Sequence, residues 1–342
     1  MIITYLRSSS FGSWDFCQQQ YFFKYVLGFE DIANKRAVQG TMAHKVMEVL
    51  AKQKLAQQEG KETFEDDLGT FESKFVHVPK LIKTAFDYYA EKNPAHKFNE
   101  TSFTEVCTSV WKCLKMNDGA FNPLNQKIIS PEKKFDFSFD HEWAKYEYEV
   151  NGVKYDGQLS FKGTIDLIVE EDEDTLHIVD YKTGQRKNWV TGQVKEFVDI
   201  RNDTQLKLYY YAVQKLYPQY KNVMVTIVYI NDGGPFTVCF DKSQVPEIEN
   251  LFRRQFEKIR KSVQPKLIYK PDGDSKTNWK CERLCQYFKE RPDGKKNTAK
   301  DFTKSRCHFI NQEVEELGID YVTEKYTEGK DKPWDKYHDP GA

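Results

Sequence analysis

Two short segments of alternating apolar and polar residues, joined by an acidic turn, constrain the fold of this chain most. They read GTIDLIVE and TLHIVDYK within residues 163–182, and this period-2 pattern is typical of β-strands. In a hairpin centred on Glu173, Asp166 lies opposite Asp180, because the two positions are symmetric about the turn. Residues two apart on a strand share a face, so Lys182 points the same way as Asp180. The pattern predicts a hairpin that carries two carboxylates and one ammonium group on one face.

Two carboxylates that face each other across a hairpin repel, and burial increases the repulsion. The arrangement becomes favourable if a divalent cation lies between them, and oxygen ligands suit Mg²⁺ or Mn²⁺. A lysine two residues further on can hold an attacking water or offset the charge of a phosphate. The residues therefore indicate a metal-dependent hydrolytic site. The alternative is a surface hairpin with scattered charges, which is common for an isolated Asp-x-Lys.

The remaining patterns predict a mixed α/β core with helices added at both ends. Asn151-Gly152 is a strong hairpin signal between two further strands. The predicted strands outside 163–182 are 145–150, 153–161, 223–231 and 235–240, and the predicted helices are 8–30, 40–58, 203–216 and 243–263. The tail after residue 310 is polar, and we expect it to be loosely ordered.

Composition excludes several classes of protein. The 342 residues are 15% aromatic with a net charge of −1, which a globally disordered chain would not show. No run approaches the roughly 20 apolar residues of a membrane span, and the N-terminus lacks the pattern of a secretory signal, so no membrane partner is expected. The odd count of seven cysteines indicates a reducing compartment, which predicts a cytoplasmic location.

The net charge hides an uneven distribution along the chain. Residues 251–310 carry +10, residues 311–342 carry −5, and residues 1–250 carry −6. A basic segment within an acidic chain predicts contact with a polyanion. A solvated helix face and loop would explain the same charges.

The hairpin residues carry a family resemblance. Gly163–Asp166 followed by Val179–Gly184 resembles the signature of the PD-(D/E)XK nuclease superfamily, in particular its RecB-like branch. Further matches, in the family's order, are an opening segment Cys17–Tyr25, a G-x-x-x-H from Gly40 to His44, and a Q-x-x-x-Y from Gln205 to Tyr209. The resemblance implies an α/β fold of the restriction-endonuclease type. Such a fold has a mixed central sheet flanked by helices, here with a helical insertion and a C-terminal cap that bears cysteines.

The resemblance also implies an activity and the residues that perform it. The implied catalytic residues are Asp166, Asp180, Lys182, Gln205 and Tyr209, and the implied metal ligands are His44, Asp166, Asp180 and the peptide carbonyl of Tyr181. Taken alone, His44 could be a packed histidine, and Tyr209 could be an ordinary position of an amphipathic helix. The implied enzyme is a Mg²⁺- or Mn²⁺-dependent deoxyribonuclease, an exonuclease on single-stranded DNA ends in recombination, repair, or phage or CRISPR DNA processing.

The chain lacks a G-x-x-x-x-G-K-[ST] phosphate loop, so an unwinding helicase or recombination motor would be a separate partner. An alternative function of another class is a DNA-end-binding assembly subunit that keeps the nuclease fold and has little activity of its own. The presence of both aspartates and of Lys182 argues against that alternative.

Four cysteines surround the predicted nuclease core. Cys17 precedes it, and Cys281, Cys285 and Cys307 follow it, a distribution similar to that of CRISPR-associated iron–sulfur exonucleases, which implies a 4Fe–4S cluster. The spacing departs from the usual one, with three residues between the first late pair and 21 before the last cysteine. A structural zinc that uses His308, or unligated thiols, are the other possibilities. Cys107, Cys113 and Cys239 are expected to be small buried apolar residues.

The sequence predicts one nuclease core with additions. The predicted regions are N-terminal helices 1–60, a helical insertion 61–140, the core 141–263, a basic cysteine-bearing cap 264–310, and an acidic tail 311–342. Five aromatic residues could stack on unpaired bases: Trp14, Phe22, Phe23, Trp111 and Trp279. Most aromatic residues belong to cores, so few of these are expected to contact DNA.

Overall fold

The computed structural model describes residues 1–30, 33–188, 191–270, 275–330 and 334. Its strands are β1 (Tyr5–Leu6), β2 (Thr63–Asp66), β3 (Gly69–Glu72), β4 (Ile128–Ser138), β5 (Lys145–Val150), β6 (Val153–Gln158), β7 (Ser160–Asp172), β8 (Thr175–Lys182), β9 (Asn222–Tyr229) and β10 (Gly234–Phe240). Its α-helices are α1 (Ser8–Phe16), α2 (Gln18–Tyr21), α3 (Lys35–Gln58), α4 (Val78–Lys92), α5 (Glu100–Lys115), α6 (Phe197–Arg201), α7 (Thr204–Leu216), α8 (Val245–Arg260), α9 (Ser275–Leu284), α10 (Gln286–Lys289), α11 (Arg306–Leu317) and α12 (Ile319–Thr327).

The central sheet is mixed and has the order β1-β7-β8-β9-β10, with β4 also paired to β7. β1 is parallel to β7, β8 is antiparallel to β7, β9 is parallel to β8, and β10 is antiparallel to β9. Two separate hairpins, β2–β3 and β5–β6, complete the strands. The predicted fold class, a mixed central sheet flanked by helices, is confirmed. β4 adds a sheet strand to the stretch 61–140, which also contains α4 and α5.

The hairpin of β7 and β8 has the predicted register. Leu167 lies opposite Val179 and Ile168 opposite Ile178, which centres the pairing on residue 173. The register shifts by a bulge between Glu170 and Asp172, close to the turn. The bulge lies at the far end of the hairpin from Asp166 and therefore leaves the pairing near the aspartates unchanged.

The described residues divide into two compact units, which we call the first and the second unit. The first unit comprises residues 1–32, 136–163 and 249–342, and the second comprises residues 33–135 and 164–248. The β5–β6 hairpin, α11 and α12 belong to the first unit. The hairpin β7–β8 from Thr164 onwards, together with β9, β10 and α3 to α7, belongs to the second.

The core of the second unit lies on both faces of its sheet. On one face, apolar residues of α3, α4 and α5 pack against Leu167, Val179 and Val228. On the other face, buried residues of α7 cover the sheet, and the Tyr210 ring stacks on Phe240 at 5.1 Å. Full burial of one large apolar side chain contributes about 1.5–3 kcal/mol to folding, so this packing holds the strand ends in place.

Three expectations from the sequence were wrong. Residues 8–30 do not form one helix, because extended backbone at Cys17 separates α1 from α2, and a π-helical turn, Phe22–Val26, follows. The tail forms α11 and α12 up to Thr327, since apolar residues such as Val314 and Val322 recur at helical spacing and are buried.

The third wrong expectation is that Cys239 is buried. Cys239 is exposed, whereas Cys113 is buried and Cys107 is partly buried. Val238 and Phe240 on either side of Cys239 are buried, so alternation along β10 turns the cysteine outward. Among the described residues, no helix combines the length and the apolar character needed to cross a lipid bilayer.

Candidate active site

A surface pocket of the second unit brings together residues that are far apart in the sequence. His44, Glu132, Asp166 and Lys182 all line it. His44 comes from α3, Glu132 from β4, and the other two come from the paired strands β7 and β8. The sheet and the helix that packs on it therefore meet at a concave, strongly charged surface.

Asp166 lines this pocket and contacts groups from two other chain segments. Its Oδ2 accepts a hydrogen bond from the Tyr181 amide (2.9 Å) and lies 3.4 Å from His44 Nδ1. Burial lowers the pKa of the His44 imidazole, and the Asp166 carboxylate opposes that effect. The imidazole is therefore neutral at physiological pH, which is the form that binds metal ions.

Asp180 is fully buried behind the pocket surface and is held by Lys182. The Lys182 Nζ donates a hydrogen bond to Asp180 Oδ1 (2.9 Å). It also lies 2.7 Å from Oδ2, but outside hydrogen-bond geometry, so Oδ2 has no hydrogen-bond partner. Burial raises the pKa of the Asp180 carboxyl to about 7, and Asp166 adds to this while Lys182 opposes it. A buried carboxylate oxygen without a hydrogen bond is the kind of group that a cation stabilises.

Lys182 is itself strongly biased towards its charged form. Burial lowers the pKa of its ammonium group, but the Asp180 and Asp166 carboxylates outweigh burial and raise the pKa above the ordinary value. Lys182 is therefore an ammonium ion at neutral pH. In this form it can donate hydrogen bonds to water or phosphate oxygens.

Gln205 and Tyr209 lie one turn apart on α7 and contact each other. Gln205 Nε2 donates to the Tyr209 hydroxyl (2.8 Å). Burial raises the pKa of that phenol well above its ordinary value, and the carboxylates of Asp180 and Asp166 raise it further, which places Tyr209 within their field. At the helix start, Asp203 Oδ1 accepts from the Gln205 amide (2.9 Å) and fixes the first turn of α7.

Glu132 is a site residue that the sequence patterns did not reveal. It has a φ of +44° within β4, a conformation that is costly for a residue with a side chain. Burial raises the pKa of its carboxyl to about 8, and the nearby Asp166 and Glu48 add to the shift. The run KIISPEKK around it has no regular period that would have distinguished this glutamate from a surface one.

Gly40 allows α3 to approach the chain directly after Lys182. A Cβ at this position would lie 2.6 Å from Thr183 Oγ1, closer than side-chain carbons are found in proteins. Because His44 is one helical turn further along α3, this close approach brings its ring to the carboxylate of Asp166. The spacing of glycine and histidine therefore has a packing reason here.

A buried network of charged side chains also holds the part of α3 that follows His44. The Asp66 side chain is fully buried and lies 2.6 Å from Lys52 Nζ and 3.4 Å from Lys45 Nζ. Lys45 also pairs with Glu48 at 2.7 Å. Lys45 follows His44 in the chain, so the network attaches this helical turn to the β2–β3 hairpin.

The acidic and imidazole groups of the pocket contact their own protein partners. In the described parts of the chain, no three His, Cys, Asp or Glu side chains converge on one position that could hold a metal ion. Asp166 contacts His44 and the Tyr181 amide, while Asp180 contacts Lys182. Carboxylate oxygens and an imidazole nitrogen are donor types that divalent cations bind, but the described geometry directs these groups to protein partners.

Comparison with known proteins identifies the family. A sequence model of the PD-(D/E)XK nuclease superfamily matches residues 9–289, which is most of the chain. The chain belongs to the PD-(D/E)XK nuclease superfamily. The match covers His44, both aspartates and Lys182, together with three of the four cysteines discussed below.

Solved structures give weaker likenesses, and no curated protein matches the chain. One is a crystal structure from Eubacterium rectale, provisionally named as an exonuclease, with 12% identity and a TM-score of 0.43; the match covers 78% of this chain and 85% of that one. Another is SSO0001, with 12% identity and a TM-score of 0.25, covering 72% of this chain and 96% of that one.

The four surrounding cysteines of this PD-(D/E)XK protein line one small cavity of the first unit. Cys17, Cys281, Cys285 and Cys307 are all buried and line one small cavity, together with aromatic rings such as that of Phe302. Burial raises the pKa of the Cys281 thiol to about 12 and that of Cys307 well above its ordinary value, and the neighbouring cysteines add to both shifts. The thiols of Cys281 and Cys307 are therefore neutral unless a bound metal favours the thiolates.

The long spacing before Cys307 is bridged by a loop that returns to its starting point. The Arg306 amide donates to the Glu290 carbonyl (2.7 Å), and the Arg306 guanidinium pairs with the Glu290 carboxylate at 2.9 Å. Cys307, the next residue, is thereby returned to the cavity that contains Cys285. His308 packs its ring against Phe302 at 4.9 Å and does not line the cavity.

Proposed function

We propose that the chain is a Mg²⁺- or Mn²⁺-dependent deoxyribonuclease that acts as an exonuclease on single-stranded DNA ends. The observation that carries the proposal is the convergence of Asp166, Asp180 and Lys182 at the end of one hairpin, with His44 at 3.4 Å from Asp166. We further propose that it works in a reducing compartment such as the cytoplasm, in recombination, repair, or phage or CRISPR DNA processing. A helicase partner would supply the single strands.

His44, Asp166, Asp180 and the Tyr181 carbonyl are the groups that would hold the cation, and Glu132 lines the same pocket. A cation bound there would polarise a phosphodiester and lower the pKa of a water molecule. The buried Oδ2 of Asp180 supports this assignment, because it makes no hydrogen bond and its only close charged contact is the Lys182 ammonium at 2.7 Å, a position that suits a cation.

Lys182 has the role of a charged donor. Its raised pKa keeps the ammonium protonated, so it can orient the attacking water and offset the negative charge that develops on the phosphate. The hydrogen bond from Gln205 to Tyr209 holds the phenol close to the carboxylates, where it remains neutral and can donate a hydrogen bond to the DNA strand.

Digestion of end-labelled single-stranded DNA with Mg²⁺ or Mn²⁺ tests the proposal. Asp180→Asn and Lys182→Ala should lose cleavage and keep folding and DNA binding. Glu173→Gln, an exposed change in the turn of the same hairpin, should cleave like the wild type. Undiminished cleavage by both site variants would overturn the assignment, and DNA binding by the wild type without any cleavage would support the assembly-subunit alternative.

We also propose that Cys17, Cys281, Cys285 and Cys307 hold a 4Fe–4S cluster. Their burial in one cavity, with neutral thiols beside aromatic rings, supports a ligand set that ionises only with its metal. Anaerobically purified protein should be brown and contain four iron and four sulfide per chain. One zinc per chain and no colour would support the zinc alternative, and a colourless protein without metal would support unligated thiols.

A further inference from the structure

Helix α5 presents a polar stripe on the side opposite its buried face. The buried face includes Val106 and Val110, which belong to the core of the second unit. The stripe consists of Thr104, Thr108, Trp111, Lys112 and Lys115, which are all exposed and recur at three- to four-residue spacing. At 1.5 Å per residue it extends about 16 Å along the helix.

This stripe borders a groove that continues from the active-site pocket. The pocket ends at Gly40 and Thr183, and a second depression begins at the same two residues and reaches Thr104 and Asn231. A third depression shares Thr104 and Asn231 with the second and continues to Trp111. A strand whose scissile phosphate lies at the carboxylates therefore has a continuous path along α5.

The far end of the groove carries an exposed aromatic ring beside positive charge. The Trp111 side chain is 38% exposed, and the ammonium of Lys115 lies 5.7 Å from its ring centre. Neither Lys112 nor Lys115 forms an ion pair with a carboxylate of the described residues; Lys112 contacts only the Asn231 side-chain oxygen at 3.3 Å.

The acidic residues along the groove accept hydrogen bonds from neutral amides. Glu105 accepts one from Gln39 Nε2 (2.6 Å), and Asp232 accepts one from the Arg186 backbone amide (2.8 Å). Lys112 and Lys115, together with the exposed Arg36 of the second depression, are the cationic side chains that a ligand in the groove could contact. Ammonium groups that lack carboxylate partners suit phosphate oxygens, and an exposed indole suits the face of a base.

We propose that this groove binds the single-stranded part of the substrate, with Trp111 stacked on an unpaired base and Lys112 and Lys115 on backbone phosphates. A base in a duplex is covered by its neighbours and pairs with the other strand, so stacking on Trp111 selects unpaired nucleic acid. The length of the stripe matches about five stacked nucleotides at 3.4 Å each. This inference rests on the proposed function and adds the surface that selects the substrate.

Binding of fluorescein-labelled oligothymidylate, measured by anisotropy in EDTA so that no cleavage occurs, tests the aromatic contact. Trp111→Ala should weaken binding by about 5- to 150-fold, the range measured when a stacking aromatic residue is removed. Trp111→Phe should retain most of the affinity, because a ring remains. Phe75→Ala is the matched control, since Phe75 is an exposed aromatic (69%) of the same unit that lies outside the groove.

Salt dependence tests the two lysines. The double variant Lys112→Gln, Lys115→Gln should reduce the slope of log affinity against log salt by about 1.4, which corresponds to two lost contacts with single-strand phosphates. The pair Lys74→Gln, Lys80→Gln removes two exposed lysines elsewhere in the second unit and should leave the slope unchanged.

One further measurement separates this inference from the proposed function. An oligonucleotide with 5-iodouridine should cross-link to Trp111 whether or not the protein cleaves DNA.

Cross-linking to Trp111 without metal-dependent cleavage would contradict the proposed function and would leave the groove assignment in place. Metal-dependent cleavage by the wild type, with Trp111→Ala equal to it in binding and with cross-links elsewhere, would overturn the groove assignment. In that case the exposed indole belongs to a contact with another partner, such as a protein.

Discussion

The pocket of the second unit and the cysteine cavity of the first unit both contain the residues that we propose as metal ligands, and they differ in how those side chains are stabilised. In the pocket, Asp180 pairs with Lys182, and Asp166 contacts His44. In the cavity, Cys281 and Cys307 are neutral thiols, since burial raises the pKa of each. One site is a set of mutually compensating charges, whereas the other is a set of uncharged groups in apolar surroundings.

This difference predicts different consequences of losing a metal ion. The pocket retains its internal ion pairs and hydrogen bonds, so the second unit should keep its structure without a cation. A cluster bound in the cavity, as proposed, would cross-link segments as distant as Cys17 and Cys307. The proposal therefore predicts that folding of the first unit depends on the cluster, and that catalysis depends on the cation of the second unit.

The largest expected effect is on the stability of the first unit. Cys307→Ala removes one proposed cluster ligand, and structural metal sites contribute on the order of 10 kcal/mol of apparent binding free energy. The variant should lose its iron and unfold at a much lower temperature in a thermal melt. Cys239→Ala, an exposed cysteine of the second unit, is the control and should melt like the wild type. Equal melting of both variants would contradict a structural cluster.

The next effect is on catalysis alone. Lys182→Ala should reduce the rate of DNA cleavage by about 10²- to 10³-fold, as removal of one charge-stabilising donor does in other enzymes. Its melting temperature in EDTA should stay close to that of the wild type, because burial raises the pKa of the Asp180 carboxyl to about 7, so this carboxyl can take up a proton when its partner is removed. A large fall in stability would show that the ion pair with Asp180 is structural.

A smaller effect concerns the network that positions α3. Asp66→Asn should lower the free energy of unfolding by about 1.5–3 kcal/mol at pH 7, because it removes one of the two carboxylates, Asp66 and Glu48, with which Lys45 and Lys52 pair. Burial opposes ionisation of Asp66, but the ammonium groups of Lys52 and Lys45 outweigh burial and lower the pKa of Asp66 below 3.8. The stabilisation is therefore present above pH 3.8 and is lost as the pH falls through the folded pKa.

Urea unfolding at several pH values measures this difference. Asp67→Asn is the matched control, since Asp67 lies at the same distance from Lys45 but is exposed and should contribute less than about 1 kcal/mol. If Asp66→Asn and Asp67→Asn have equal effects at pH 7, the buried network does not position α3.

The smallest expected effect is an increase in stability, caused by a change at Glu132. Burial is the main cause that raises the pKa of the Glu132 carboxyl to about 8. The folded state therefore becomes less stable as the pH rises from 4.5 to 8. Glu132→Gln should therefore stabilise the metal-free protein by about 1–3 kcal/mol at pH 9 and have little effect at pH 4. The same variant should cleave DNA more slowly.

Thermal melts in EDTA at the two pH values, with Glu173→Gln as an exposed control, measure this stabilisation. No gain at pH 9 would indicate that Glu132 is not held in an unfavourable environment.

The hairpin and its register were predictable because alternation is a local signal, and the acidic turn fixed its centre at Glu173. The arrangement around Glu132 was not predictable, since its positive φ and its position beside Asp166 depend on how β4 joins the sheet. The break at Cys17 was also missed, because the glutamines that follow it favour a continuous helix.

The candidate site was partly predictable for the same reason. Asp166, Asp180 and Lys182 share one hairpin, so strand geometry alone relates them. The approach of His44 requires Gly40 to contact Thr183 across more than 140 residues, and no local pattern specifies that contact. Family resemblance supplied this residue, and the packing of α3 now gives a physical reason for it.

Digestion of linear and circular single-stranded DNA, labelled at either end and incubated with Mn²⁺ or EDTA, tests the central claim most directly. The account predicts metal-dependent release of nucleotides from linear DNA by the wild type, little attack on circles, and almost no product with Lys182→Ala. Absence of metal-dependent cleavage of every substrate, or equal cleavage by Lys182→Ala, would contradict it.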